Sequence, residues 1–235
     1  MEKELNNAEH NSKKNLKNKN KEIVLIVFIV LFLFLDICLS LIAFACRNVK
    51  RGVHKPIIYL YPTQEEVITV SLGNQEKITS SYPKYIDGWK VLAKPNGSLK
   101  YLKTNQNLYS LYYENIRTIN YKVEKEGFCV EGKNTTTFLE EKLAKLGLTE
   151  REAEEFIIYW LPKLENNKYN YIRFASKEEI NTDMPLNITP SPDTTIRVLM
   201  TYKKLNKPIN VEEQLITTPE RKGFVAVEWG GTEIK

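Results

Sequence analysis

Residues Thr137–Pro162 read TFLEEKLAKLGLTEREAEEFIIYWLP. This stretch contains the capping-box spacing twice, a threonine followed three residues later by a glutamate, at Thr137/Glu140 and at Thr149/Glu152. This spacing is typical of helix starts, because each side chain satisfies a backbone N–H that the first turn leaves free. We therefore expect two helices joined by a turn of two or three residues, which is an αα-hairpin.

Glycine and proline set the expected ends of these helices. The first should end at Gly147, because glycine adopts the left-handed conformation that closes a helix. The second should run to about Trp160–Leu161, with Pro162 near its end. Its apolar residues recur at i, i+3, i+4 and i+7, so they share one face: Ala153, Phe156, Ile157 and Trp160.

Runs typical of β-strands flank the hairpin on both sides. Val67–Leu72 alternates apolar with polar side chains, and Asn96-Gly97 lies between two strand-like runs, as in a tight β-hairpin. The expected strands are Ile57–Tyr61, Val67–Leu72, Trp89–Ala93, Leu99–Leu102, Leu108–Tyr113, Ile119–Val123, Phe128–Val130, Tyr171–Ala175, Thr194–Tyr202 and Gly223–Trp229. The pattern predicts an α+β fold of mainly antiparallel strands, either a sandwich or a sheet covered by the αα-hairpin.

A long apolar stretch, Ile23–Ala45, precedes this domain. As a helix it would be about 34 Å long, enough to cross the roughly 30 Å hydrocarbon core of a bilayer. It contains Asp36, whose insertion costs about 2.5–3.5 kcal/mol, but each surrounding aliphatic or aromatic residue returns about 0.3–0.6 kcal/mol. We therefore expect a single transmembrane helix, a signal-anchor, over residues 23–46. Asp36 either pairs with a partner helix or is a tolerated acid.

The charges around this stretch predict its orientation. Six lysines precede it and four basic residues follow it, which favours a cytoplasmic N-terminus and an extracytoplasmic domain at the cell membrane. The expected organisation is a disordered Lys/Asn-rich tail at 1–22, the helix at 23–46, a basic linker at 47–55 and one domain at 56–235. Leu41–Cys46 also loosely resembles a bacterial lipoprotein processing site, with Cys46 as the lipidated residue. The uncleaved anchor is favoured, and either outcome leaves the domain attached to the membrane.

Composition argues against several classes of function. The formal charge is +5, but much of the excess flanks the apolar stretch, so a nucleic-acid partner is not expected. His10 and His54, the two histidines, lie outside the expected core, which argues against histidine-based catalysis or a zinc site in the domain. Cys129 is the single cysteine of the domain, so no disulfide within it is possible. The chain has no phosphate-binding glycine loop, and no metal or cofactor is expected.

From Lys55 onward the sequence resembles a family of uncharacterised bacterial proteins, mostly small secreted or membrane-attached proteins of Gram-positive organisms. The strings that carry the resemblance are KPIIYLYP (Lys55–Pro62), YPKY (Tyr82–Tyr85) with Gly88-Trp89, YWLP (Tyr159–Pro162), TPERKGF (Thr218–Phe224) and EWGG (Glu228–Gly231). The resemblance implies a shared fold and location. It implies no activity, and no site residue is carried over from it.

Two groups of residues are candidates for ligand binding. In Glu228-Trp229-Gly230-Gly231, the glycines allow close backbone approach to a ligand or to another strand, and the alternative is a turn that ends a strand. Tyr85 and Trp89 lie near turns, where exposed aromatic side chains bind sugars or protein partners. The alternative for these two is a place in the core.

Catalysis has one weak candidate pair, Glu114 and Glu228. Two carboxyl groups about 5–10 Å apart in an open cleft would suit glycoside-type acid–base chemistry. The favoured hypothesis is a binding or interaction module of the cell envelope, with membrane lipid and an envelope protein or cell-wall glycan as partners. The alternatives are a carboxylate-dependent envelope hydrolase and a subunit of a membrane complex that uses Asp36.

Overall fold

The computed structural model describes residue 28, residues 30–40 and residues 52–234. The chain divides into two compact units, Met1–Val49 and Lys50–Lys235, which are described separately. In the first unit, residues 30–40 are helical and Asp36 is exposed. Within the described ranges, no helix is both long enough and apolar enough to cross a membrane. The expected tail at 1–22, half of the expected 23–46 helix including Cys46, and linker residues 47–51 lie outside the described residues.

Residues 52–234 of the second unit form two β-sheets and three α-helices. The strands are β1 (Gly52–Tyr61), β2 (Glu66–Leu72), β3 (Ile78–Tyr82), β4 (Trp89–Ala93), β5 (Leu99–Tyr101), β6 (Gln106–Leu108), β7 (Leu111–Ile116), β8 (Glu126–Glu131), β9 (Tyr169–Phe174), β10 (Leu186–Thr189), β11 (Thr194–Leu205), β12 (Glu212–Glu213) and β13 (Val225–Glu233). The helices are α1 (Thr135–Lys145), α2 (Glu150–Leu164) and α3 (Lys177–Asp183).

Most neighbouring strands in both sheets are antiparallel. The larger sheet has eight strands in the order β12-β8-β9-β11-β13-β1-β7-β3, and the smaller has five in the order β10-β2-β4-β5-β6. Two pairs in the larger sheet are parallel, β11 with β13 and β12 with β8. The predicted class, α+β with mainly antiparallel strands, is therefore confirmed.

The eight-stranded sheet is the middle of three layers. Along β1, Ile57 and Tyr59 face a core that contains Phe156 and Trp160 of α2. Their neighbours Ile58 and Leu60 face the opposite core, which is shared with the five-stranded sheet. Because successive side chains of a strand point to opposite faces, β1 contributes residues to both cores. The structure combines the two expected architectures, because the αα-hairpin covers one face of this sheet and the second sheet covers the other.

Of the two predicted capping boxes, the one at Thr149 is confirmed and the one at Thr137 is wrong. Thr149 is the N-cap of α2 as predicted. Its backbone N–H donates to the Glu152 carboxylate, and its hydroxyl oxygen accepts from the backbone N–H of Glu152. The box predicted at Thr137 is wrong, since α1 already begins at Thr135. A short 3₁₀ turn at Gly132–Asn134 leads directly into α1, and Thr135 follows it with helical dihedral angles. Thr137 therefore lies inside the first turn of the helix.

Several other boundaries differ from the expected ones. The strand predicted at Ile119–Val123 is wrong, because this segment packs Tyr121 into a core without joining a sheet. β1 begins at Gly52, inside the segment expected to be a linker, because its first residues pair with β7. α3 was not predicted. Its capping box at Ser176 is present in the sequence, but a seven-residue helix is too short to show a clear apolar period.

Candidate functional site

An irregularity in β1 shapes the candidate site. The pairing of β1 shifts by one residue against β13 and against β7, between Val53 and Ile57. At this bulge Lys55 has a φ of 55°, a left-handed conformation that residues other than glycine rarely adopt. Such a backbone costs about 1–3 kcal/mol and is concentrated at functional sites. The bulge places the Lys55 ammonium 5.1 Å from the ring centre of Tyr159 in α2.

A cleft of about 530 Å³ opens beside this bulge. It lies on the face of the eight-stranded sheet that carries the helices, where β1, β3 and β7 approach Tyr159 and the β6–β7 connection. Its lining residues are Lys55, Ile57, Tyr82, Asn107, Leu108, Tyr109, Ser110, Tyr112, Glu114 and Tyr159. We call it the tyrosine cleft. Tyr82 and Tyr109 remain 53% and 48% exposed, so aromatic surface is available to a ligand.

Glu114 provides the carboxylate of the tyrosine cleft. It accepts a hydrogen bond from the backbone N–H of Lys55 at 3.3 Å, and Nδ1 of His54 lies 3.6 Å from the same oxygen. Its side chain keeps 26% of its surface exposed, which leaves it accessible to a donor on a ligand. Burial, followed by the charge of Glu114, raises the pKa of Tyr112 and of Tyr159. Both hydroxyls therefore stay protonated at neutral pH, and each can donate and accept a hydrogen bond.

Three cations lie near the rings of Tyr159 and Tyr109, and Lys55 is one of them. The ammonium of Lys163 is 3.6 Å from the ring centre of Tyr159 and donates to the Tyr159 carbonyl at 2.9 Å. The guanidinium of Arg151 is 4.9 Å from the ring centre of Tyr109 and also contacts Glu155. Cations in these positions are attracted to the negative face of an aromatic ring and limit its movement. These contacts stabilise the observed positions of the Tyr159 and Tyr109 rings.

Glu228, the second catalytic candidate, lies on the other face of the sheet. Its carboxylate accepts a hydrogen bond from Nε of Arg197 at 2.5 Å and from the hydroxyl of Tyr113 at 2.7 Å. Tyr113 precedes Glu114 in β7, and successive side chains of a strand point to opposite faces. The structure therefore does not bring Glu114 and Glu228 together in one cleft. The geometry that acid–base chemistry between them requires is absent from the described residues.

The candidate ligand residues Trp89 and Tyr85 lie in the core between the two sheets. Trp89 has no exposed surface, and its indole N–H donates to the carbonyl of Pro83 at 2.8 Å. The Tyr85 hydroxyl accepts from the N–H of Leu72 at 2.9 Å. Their polar atoms are satisfied internally, so these two side chains offer no surface to a ligand in this structure.

The Trp229-Gly230-Gly231 string is also buried. Trp229 packs edge-on against Phe156, with ring centres 5.3 Å apart. A Cβ on Gly231 would lie 2.5 Å from the ring of Trp160, so this glycine lets α2 pack directly on the backbone of β13. The strand continues to Glu233, and the alternative of a strand-ending turn at the glycines is wrong. The close approach expected here is made by a helix of the same domain.

No group of three His, Cys, Asp or Glu side chains in the described parts of the chain is placed to hold a metal ion. The arrangement in the tyrosine cleft supports binding through aromatic faces, hydroxyl groups and charges. Nothing among its lining residues forms a nucleophile–base pair of the usual hydrolase type.

The sequence did not lead us to predict most of the residues that line the tyrosine cleft. One signal for them exists: alternation in β7 places Tyr112 and Glu114 on the same face of one strand. A second signal is Lys55-Pro56 at the start of an apolar strand, since proline disturbs ladder pairing and favours a bulge. The other lining residues come from distant segments, and only the fold brings them together. Comparisons of the chain with protein-family models, with curated proteins and with solved structures found no match.

Proposed function

We propose that this chain is a membrane-anchored binding module of the cell envelope, which holds its ligand in the tyrosine cleft on the extracytoplasmic side. The observation that carries the proposal is the cleft itself. Its volume of about 530 Å³ falls in the roughly 300–1,000 Å³ range of ligand sites. Tyrosine is enriched where proteins bind partners, since its ring provides a large rigid contact surface and its hydroxyl a polar one.

The apolar stretch Ile23–Ala45 supports the membrane part of the proposal. Its length matches a bilayer crossing, and the excess of lysine before it favours a cytoplasmic N-terminus. Fractionation of lysed cells tests the attachment, and protease added to intact spheroplasts tests the orientation. We expect the full-length chain in the membrane pellet, with the domain degraded by external protease. Full-length chain in the soluble fraction without detergent would contradict the anchor.

Binding is tested by co-sedimentation of the detergent-solubilised full-length protein with purified cell-envelope fragments. The informative variant is Tyr109→Ala, because Tyr109 is half exposed and its truncation removes ligand surface with little loss of core. The matched control is Leu215→Ala, since Leu215 is 89% exposed and follows β12 at the opposite edge of the eight-stranded sheet. We expect Tyr109→Ala to reduce sedimentation several-fold and Leu215→Ala to leave it unchanged. Equal sedimentation of all three proteins would contradict binding in the cleft.

A further inference from the structure

Two ammonium groups lie beside the ring of Tyr159, which lines the tyrosine cleft. Lys55 lines the cleft as well, and Lys163 lies one helical turn after Tyr159 in α2. Lys55 and Lys163 are 5.1 Å and 3.6 Å from the ring centre of Tyr159. Among the residues that the structure describes, neither lysine has a carboxylate within the 4.0 Å of an ion pair. Burial, followed by the charge of Lys55, lowers the pKa of Lys163. The two positive charges therefore repel each other, and an anion bound near both would relieve this repulsion.

The rest of the cleft is built for a ligand with hydroxyl groups. Asn107, Ser110, Tyr112 and Glu114 line it with both donors and acceptors. A sugar hydroxyl is itself both donor and acceptor, so it can satisfy either kind of group. A sugar ring also has an apolar face of C–H groups, which packs against aromatic rings such as Tyr109 and Tyr82. A lipid chain would instead cover the partly exposed Glu114 carboxylate with hydrocarbon, and taking a charged group out of water is costly.

We infer that the tyrosine cleft binds a sugar that carries an anionic group, with the sugar ring against the tyrosines and the anion beside Lys55 and Lys163. This inference rests on the proposed function and adds the chemical class of the ligand. Glu114 then accepts hydrogen bonds from sugar hydroxyls. A cleft volume of about 530 Å³ leaves room for more than one sugar ring.

The test compares two matched disaccharides by calorimetric titration into the full-length protein in detergent micelles. One is a neutral dimer of N-acetylglucosamine, and the other carries a lactyl carboxylate on one ring. We expect the acidic disaccharide to bind about tenfold more tightly at low salt, with the preference shrinking as salt screens the charges. The double variant Lys55→Met/Lys163→Met should bind both sugars equally, and Lys145→Met on α1 should keep the preference. Retained affinity for the neutral sugar shows that the double variant is folded.

The outcomes separate this inference from the proposed function. Equal affinity of the wild type for both sugars, or a preference that survives in the double variant, would overturn it. If neither sugar binds but Tyr109→Ala still reduces envelope binding, the anionic-sugar inference falls and the binding function stands. A phosphorylated peptide that binds where neither sugar does would also overturn it. If neither sugar binds and Tyr109→Ala changes nothing, both proposals fall.

Discussion

Arg197 and Glu228 face each other across the parallel strands β11 and β13, with Nε of Arg197 2.5 Å from Oε2 of Glu228. Their side chains are only 3% and 4% exposed. Asn181 and the carbonyl of Met184 accept the other guanidinium hydrogen bonds, and Tyr113 donates to the carboxylate. Burial and the charge of Glu228 raise the pKa of Tyr113, which keeps its hydroxyl a donor. The Arg197–Glu228 ion pair is thus buried in the core and hydrogen-bonded to groups of the same domain.

Breaking this pair should destabilise the domain strongly. Glu228→Leu leaves the Arg197 charge buried without its counter-ion, Arg197→Met does the same to Glu228, and such changes cost about 3–5 kcal/mol. The double variant Arg197→Met/Glu228→Leu removes both charges and should cost clearly less than the sum of the single variants. Chemical denaturation of all four proteins gives the coupling energy. Strictly additive costs would show that the two charges do not depend on each other.

The two threonines of the αα-hairpin should respond differently to truncation. Thr149→Ala removes the N-cap of α2 and should lower the free energy of unfolding by about 1 kcal/mol. Thr137→Ala should change it by no more than about 0.5 kcal/mol, because Thr137 is exposed inside α1 and caps nothing. Thermal or urea unfolding of both variants checks this. A larger loss for Thr137→Ala would mean that α1 begins where the sequence pattern first placed it.

A side chain at position 231 should destabilise the domain. The Cβ of Gly231→Ala would lie 2.5 Å from the Trp160 ring, so α2 must move, at a cost of about 1–3 kcal/mol. Gly230→Ala is the matched control next to it, since its Cβ would lie 3.2 Å from Pro56 and needs a smaller shift. The penalty of Gly231→Ala should shrink in a Trp160→Phe background, where the smaller ring leaves room. Equal penalties at both glycines would contradict this packing.

Asp183 should make stability depend on pH. It accepts hydrogen bonds from the backbone N–H groups of Thr118 and Ile119, but burial outweighs these and raises its pKa above the ordinary 3.8. The folded state then holds the proton more tightly than the unfolded state, so stability falls as the pH rises through the folded pKa. We expect the unfolding free energy of wild type, relative to Asp183→Asn, to decrease from acidic pH toward neutrality. Urea denaturation across this range checks the sign, and a relative increase would mean a lowered pKa.

Local signals in the sequence predicted the elements that depend on neighbouring residues. The Thr149 capping box and the apolar face of α2 were correct, because both are set within one or two helical turns. The strand predicted at Thr194–Tyr202 is present within β11, where Ile196, Val198, Met200 and Tyr202 face the helices as one set. The class of fold followed from the order of these elements.

The candidate site could not be predicted from the sequence, for physical reasons. Whether Glu114 and Glu228 share a face depends on the pairing of distant strands, which alternation within each strand does not reveal. The tyrosine cleft joins residues from Lys55 to Tyr159, and it depends on a one-residue register shift in β1. For Trp89, which lies near a turn, the sequence left both a ligand-binding and a core position open, and the three-layer packing buries it. Exposure of an aromatic residue is decided by the layers above it.

The most direct test of the central claim is photo-crosslinking in intact cells. A photoreactive phenylalanine analogue replaces Tyr109 in the tyrosine cleft or, as the control, Leu215 at the far edge of the sheet. We expect position 109 to crosslink to a defined envelope component and position 215 not to do so. The same products at both positions, or lipid alone at position 109, would contradict binding in the tyrosine cleft.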